Sequence, residues 1–184
     1  GGNLFVGGTS QLSSLDGLGN LTSFDGDILV LENENLVDFS GMEWLTSCGQ
    51  VTILGNKNVI SLSGLDNLES TRSISIERNF KLQSLHGLES LMNVDGSIRI
   101  AYNIGLLSFD GLKALERIVG SLNVIKNSSL KNFEGLDKLS SVGSALYVLE
   151  NELMESFQGL EVLTNIGENL SISKNNNLIS LKGL

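Results

Sequence analysis

Asp95-Gly96-Ser97-Ile98-Arg99-Ile100-Ala101-Tyr102-Asn103, continued by Leu106 and by Phe109-Asp110-Gly111-Leu112, is the stretch that decides the fold. Ile98 and Ile100 alternate with Arg99, and β-branched residues at a period of two mark a half-buried strand whose intervening side chain faces solvent. Turn residues flank the pair, Gly96-Ser97 before it and Asn103 after it. Leu106, Phe109 and Leu112 then recur every three residues, so the arms beyond the strand also turn apolar side chains inward.

Working outward, the same order is copied along the whole chain. Gly-Leu, once Gly-Met, stands at Gly17, Gly41, Gly64, Gly87, Gly111, Gly135, Gly159 and Gly183, at spacings of 24, 23, 23, 24, 24, 24 and 24 residues. A period in that range, sustained from end to end, is the mark of a solenoid. The strand pair reads Leu4/Val6, Ile28/Val30, Val51/Ile53, Ile74/Ile76, Ile98/Ile100, Leu122/Val124, Leu146/Val148 and Leu170/Ile172. Two residues before each Gly stand Leu15, Phe39, Leu62, Leu85, Phe109, Phe133, Phe157 and Leu181, and four after it stand Leu21, Leu45, Leu68, Leu91, Leu115, Leu139 and Leu163. Inward residues on several sides of so short a unit describe a coil that closes its core only against its neighbours. The expected class is mainly β, a parallel β-solenoid of about eight rungs of 23–24 residues. At the inter-strand spacing of about 4.8 Å, eight rungs make a rod about 38 Å long.

The two 23-residue spacings place a deletion. From strand to Gly-Leu the interval stays at 13, whereas from Gly-Leu to strand it falls from 11 to 10. The corner Asp95-Gly96-Ser97, or Val119-Gly120-Ser121, becomes Cys48-Gly49-Gln50 and Thr71-Arg72-Ser73, and a turn loses a residue without shifting a core slot.

Asn33, Asn56, Asn79, Asn103, Asn127, Asn151 and Asn175 all stand three residues after the second strand residue. One amide at one slot predicts a structural ladder that satisfies turn backbone groups of its own and adjacent rungs, which would otherwise be buried unpaired. Thr9 fills the slot in the first rung, which predicts a weaker ladder there.

With the Leu/Ile-x-Val/Ile-x-x-Asn-x-x-Leu pattern recurring, and Gly-Ser before it at Gly96-Ser97 and again at Gly120-Ser121, the chain resembles the leucine-rich repeat family in its receptor L-domain form, over all 184 residues. The resemblance implies a right-handed β-helical ligand-binding module of the kind found in receptor ectodomains and microbial surface proteins. Uniform rungs and a single cysteine, with no disulfide-capped ends, make a microbial or protist surface protein the nearer likeness. It implies an extracellular or cell-surface location and no cofactor.

Composition is consistent with one domain over residues 1–184. The chain is 41% hydrophobic and 18% charged, with no Pro and no linker or charge block to divide it. No run approaches the roughly 18 apolar residues that span a bilayer, so no membrane insertion by this segment is expected. A net charge of −9, with 12 Lys and Arg dispersed among 21 acids, lacks the basic stripe that nucleic acid requires. The chain opens on the corner Gly1-Gly2-Asn3 and stops at Gly183-Leu184 without polar capping rungs, so a fragment of a longer solenoid, lacking both caps, is expected.

Catalytic chemistry finds no constellation. Cys48 occupies the slot of Val94, Ile118, Val142 and Ile166 and reads as a small buried hydrophobe. His86, the one histidine, shares a surface slot with Asp16, Asp110 and Glu134. The acids of Leu31-Glu32-Asn33-Glu34-Asn35 and Leu149-Glu150-Asn151-Glu152-Leu153 are five rungs apart and read as solvated turns, not a metal site. Polysaccharide-active enzymes also use parallel β-helices, but they need clustered carboxylates on adjacent rungs. No catalytic or metal-binding residue is expected. Three N-x-S/T sequons begin at Asn20, Asn127 and Asn169; Asn127 belongs to the ladder, which leaves Asn20 and Asn169 as glycosylation candidates.

The outward strand positions carry the functional information. Phe5, Leu29, Thr52, Ser75, Arg99, Asn123, Tyr147 and Ser171 lie between the core pairs, and Gly7, Leu31, Leu54, Glu77, Ala101, Ile125, Leu149 and Ser173 lie just beyond them. Exposed sheet faces are ordinarily polar, so Leu29, Leu31, Leu54, Ile125, Tyr147 and Leu149 predict a patch for a protein or glycan partner, with Glu77 and Arg99 setting its orientation. The alternative is an architectural spacer or cell-wall scaffold whose face packs on itself. An ice-binding face would want a regular Thr rank, and only Thr52 stands there.

Overall fold

Alternating pairs become strands where the pattern places them. A computed structural model describes residues 2–184, leaving Gly1 of the opening corner outside the described residues, and its regular structure is strand alone. In chain order the strands are β1 (Leu4–Gly7), β2 (Ser23–Phe24), β3 (Ile28–Leu31), β4 (Ser47–Leu54), β5 (Ser70–Glu77), β6 (Asn93–Val94) and β7 (Ile98–Ala101). There follow β8 (Arg117–Ile118), β9 (Leu122–Ile125), β10 (Ser141–Val142), β11 (Leu146–Leu149), β12 (Asn165–Ile166) and β13 (Leu170–Ser173). All pairing is parallel, and it runs in two files. β1, β3, β4, β5, β7, β9, β11 and β13 form the broad file, and β2, β4, β5, β6, β8, β10 and β12 the narrow one. Eight passes through the broad file enclose seven full coils of a β-solenoid.

The deletion explains why β4 and β5 belong to both files. In the longer rungs a corner such as Asp95-Gly96-Ser97 interrupts the chain between β6 and β7. One residue fewer removes the interruption, and Cys48-Gly49-Gln50 and Thr71-Arg72-Ser73 run straight through as eight-residue strands. The core slots do not move, since Val51 still pairs with Ile28 and Ile74 still pairs with Ile98.

Inward slots fill a single continuous core from Leu15 to Leu160. Phe109, Phe133 and Phe157 stack rung on rung, with ring centroids 5.5 and 5.3 Å apart. Only the outermost rungs leave the same slots open: Leu181 and Leu170 are exposed where their equivalents Phe133 and Leu122 are buried. The recurrent Gly is required twice over. At Gly111 the backbone takes φ 110, and a Cβ there would run into the carbonyl of Leu85 in the rung before. Adjacent rungs are therefore in close backbone contact at this turn.

The asparagine ladder forms as the spacing requires, and all seven amides are buried. Each Oδ1 accepts the backbone N–H of the equivalent Asn in the preceding rung, as Asn56 Oδ1 accepts from Asn33 at 3.0 Å and Asn127 Oδ1 from Asn103 at 3.1 Å. Each Nδ2 donates to the carbonyl of the second inward strand residue one rung back, such as Val30, Ile76 or Val124. Among the described residues no buried side-chain polar atom lacks a partner. Thr9 keeps its place by donating its hydroxyl to Asn33 Oδ1 at 2.6 Å.

Immediately before each ladder residue the backbone turns through the left-handed region. Glu32, Arg78, Tyr102, Lys126, Glu150 and Lys174 do so with φ between 55 and 59, and only Gly8 and Gly55 are glycines. A non-glycine residue there costs roughly 1–2 kcal/mol. The turn is held because its N–H groups bond to the next rung, Arg78 to Ala101 at 3.1 Å and Tyr102 to Ile125 at 2.9 Å.

Candidate functional site

The outward face of the broad file is where side chains vary, and its register fixes which of them meet. Leu31 lies beside Leu54, and Leu29 beside Phe5 and Thr52. Three rungs on, Ile125 lies beside Leu149, and Tyr147 beside Asn123 and Ser171. Between these groups sits a polar strip in which Arg99 Nε is 3.0 Å from Glu77 Oε1 and Ser75 donates to the same carboxylate at 2.8 Å. The single patch expected from the sequence is therefore two apolar clusters, about 14 Å apart at the inter-strand spacing. Glu77 and Arg99 separate the clusters and neutralise each other.

Leu29, Leu31, Leu54, Glu77, Arg99, Ile125, Tyr147 and Leu149 are all half-buried, because neighbours in the same column cover one another. Ala101, in the same column, is fully buried. The most open aromatic groups of the complete rungs lie elsewhere. Trp44, the only tryptophan, is 64% exposed on the turn after Gly41, and Phe80 is 47% exposed just after ladder residue Asn79. Their slots are otherwise filled by Asn20, Asn67, Ser90, Ala114, Lys138 and Val162, and by Glu34, Lys57, Ile104, Ser128, Glu152 and Asn176, so one aromatic in a slot that is mostly polar was the available signal.

A second hydrogen-bonded rank, at the entry to each strand, was not foreseen. Asp27 Oδ1 accepts the N–H of Gln50 at 2.8 Å, Ser73 Oγ that of Ser97 at 3.2 Å, and Ser97 Oγ that of Ser121 at 3.0 Å. Asn169 occupies this slot in the last rung and is exposed, whereas its interior equivalents are half-buried or, at Ala145, buried. Asn20 is exposed on its turn, and Asn127 is buried in the ladder.

Charged groups sit in separate pairs and, around Glu150, one triad. His86 Nδ1 is 2.7 Å from Glu89 Oε1; burial would raise the Glu89 carboxyl, but hydrogen bonds from His86 and from the Gly87 N–H outweigh it and hold it below the usual range. Lys113, 2.7 Å away, lowers Asp110. Glu34 pairs with Lys57 at 3.3 Å, and Glu150 stands between Lys126 and Lys174 at 3.6 and 3.8 Å. Cys48 is only half-buried, where its slot predicts full burial as at Val94 and Ile118, yet this cover still pushes its thiol up to about 11, so it is a poor nucleophile at neutral pH. Among the described residues no three His, Cys, Asp or Glu side chains converge to hold a metal ion, and no helix is long and apolar enough to cross a membrane.

Two clefts open on the corner that carries the left-handed turns, one of about 510 Å³ beside Gly55 and one of about 470 Å³ beside Lys126. No family model matches the chain, and neither a curated protein nor a solved structure is found to be similar to it.

Proposed function

We propose that the chain is a non-catalytic recognition or adhesion module of the leucine-rich, L-domain-like kind, acting at the cell surface or outside the cell, whose broad sheet face docks a protein or glycan. The observation that supports this is the contrast between slots. Inward positions and the ladder hold one residue class in nearly every rung, Thr71 and Thr9 being exceptions, while the outward columns pass through Leu, Thr, Ser, Arg, Asn and Tyr. Folding dictates the first set and leaves the second free. Aliphatic and aromatic side chains that are half-covered gain further from being covered by a partner.

The mutual burial of the face residues favours a second reading, a spacer or surface scaffold whose columns serve only the ladder. Changing Tyr147 and Leu149 together to Ser separates the two. Recognition requires the double variant to lose the partner that the unaltered chain retains on a column, with an unchanged circular dichroism spectrum. Retention of that partner at the same affinity makes the spacer the correct reading.

A further inference from the structure

The cleft beside Gly55 is made by a missing side chain. Six of the eight left-handed turns carry one, and both turns that do not, Gly8 and Gly55, line this cleft. The turn itself tolerates Glu, Arg, Tyr or Lys, so glycine at position 55 leaves room in a row that is otherwise filled.

The walls of this gap are dipolar. Glu32 stands one rung before Gly55 and Arg78 one rung after it, and neither belongs to an ion pair among the described residues. Arg78 is held with its guanidinium 5.5 Å from the centroid of the Tyr102 ring, which steadies the group while leaving its hydrogen-bond donors free. The other acid and base of the cleft, Glu34 and Lys57, already neutralise each other. Phe80 supplies an open apolar wall. At the second cleft Lys126 and Lys174 are both committed to Glu150 and, among the described residues, Glu152 alone stands outside an ion pair, so an unpaired acid and an unpaired base line only the first.

We propose that this gap binds a short extended peptide segment carrying a basic and an acidic side chain two residues apart, the acid on Arg78, the base toward Glu32, and aliphatic stems against Phe80. Two rungs separate Glu32 from Arg78, about 10 Å between backbones, and residues i and i+2 of a strand share a face about 7 Å apart. Long side chains leaning into the gap close the difference. An anionic polymer is disfavoured by Glu32, Glu34 and the net charge of −9, whereas a dipolar segment meets both walls with opposite charge.

The test is a titration of the intact chain followed by backbone amide NMR, with two blocked tripeptides as probes, acetyl-Lys-Leu-Glu-amide and its reverse, acetyl-Glu-Leu-Lys-amide. One order is expected to shift the Gly55 and Phe80 signals to saturation. Acetyl-Gln-Leu-Gln-amide should bind at least about ten-fold more weakly, since both charged contacts are lost. Gly55→Asn, which fills the gap with a residue suited to the left-handed turn, and Arg78→Gln should each abolish the shifts, and the Tyr147/Leu149 double variant should not alter them. If Gly55→Asn fails to fold, Arg78→Gln decides alone. No saturable shift with either order at millimolar concentration, equal binding of the neutral peptide, or saturation by cellotriose in place of the peptides would overturn the proposal.

Discussion

The amide of Asn127 closes the end of the strand that leads to Asn103: its Oδ1 accepts the Asn103 N–H at 3.1 Å and its Nδ2 donates to the Ile100 carbonyl at 2.9 Å. The two bonded groups lie on either side of the left-handed turn at Tyr102, so one side chain replaces the partners that the turn takes out of the sheet. Repeated in each rung, this fixes where every strand stops and therefore which residues reach the outward columns.

Replacing Asn103 with Leu should therefore leave the Asn79 N–H and the Ile76 carbonyl without their partner in a fully buried place. The expected loss is about 1–3 kcal/mol, the cost of unsatisfied buried groups. Arg99→Ala, which removes a half-exposed ion pair on the sheet face, should cost about 0.5 kcal/mol. Urea denaturation midpoints of the two variants measure the contrast, and an unshifted midpoint for Asn103→Leu would contradict the ladder's role.

Gly111 and Gly17 share their turn conformation, with φ 110 and 108, but not their surroundings. A Cβ on Gly111 would strike the Leu85 backbone, and one on Gly17 would meet nothing within 4 Å. Gly17→Ala should cost about 1–2 kcal/mol of backbone strain, and Gly111→Ala distinctly more, about 3 kcal/mol or above, because rungs must move apart. Equal costs in thermal unfolding would mean that the glycine serves conformation alone.

Much of the fold was legible because core slots accept one class of side chain, and a period read in Leu, Ile and Phe survives every change on the surface. The corner deletion was legible for the same reason, since Val51 and Ile74 had to stay in phase. The rank formed by Asp27, Ser73, Ser97 and Ser121 was not, because its slot also holds Gln50, Ala145 and Asn169, and serine is common at turns whether or not it accepts a bond from the next rung. Nor were the left-handed turns at Arg78, Tyr102 and Lys126, whose side chains carry no preference for that conformation. For the sheet face, alternation gave the direction of each side chain but not its cover; the split of the face into two clusters depends on what Ser75, Glu77 and Arg99 do between them.

Expression through a eukaryotic secretory route should add glycosidase-sensitive mass at Asn20 and Asn169 and none at Asn127. Asn20 stands open on its turn, whereas the Asn127 amide is fully buried and donates to Ile100 and Asn151. Asn169 owes its exposure to its place in the last rung, so a further rung stacked on β13 should reduce its occupancy and leave that of Asn20 unchanged. Peptide mapping by mass spectrometry reads all three sites, and modification at Asn127 alone would remove that residue from the ladder.

Cys48 gives the chain a stability that depends on pH in one alkaline window. Burial is the main cause of its raised pKa; the hydrogen bond with Thr71, 3.8 Å from Sγ to Oγ1, opposes the rise, and the nearby Asp27 adds to it. The folded thiol titrates near 11, against 9.0 for an unperturbed one. Between these values the unfolded chain releases the proton and the folded chain keeps it, so stability falls as pH rises through the window and is unaffected by this group below it. Unfolding midpoints of the unaltered chain should thus drop more steeply from pH 9 to 11 than those of Cys48→Ala, which cancels the contribution of every other alkaline group in the comparison. Iodoacetamide at pH 8 should likewise label the native thiol far more slowly than the urea-unfolded one, because the thiolate is the reacting form. Parallel pH profiles, together with equal labelling rates, would show that the partial cover of Cys48 does not hold its thiol protonated.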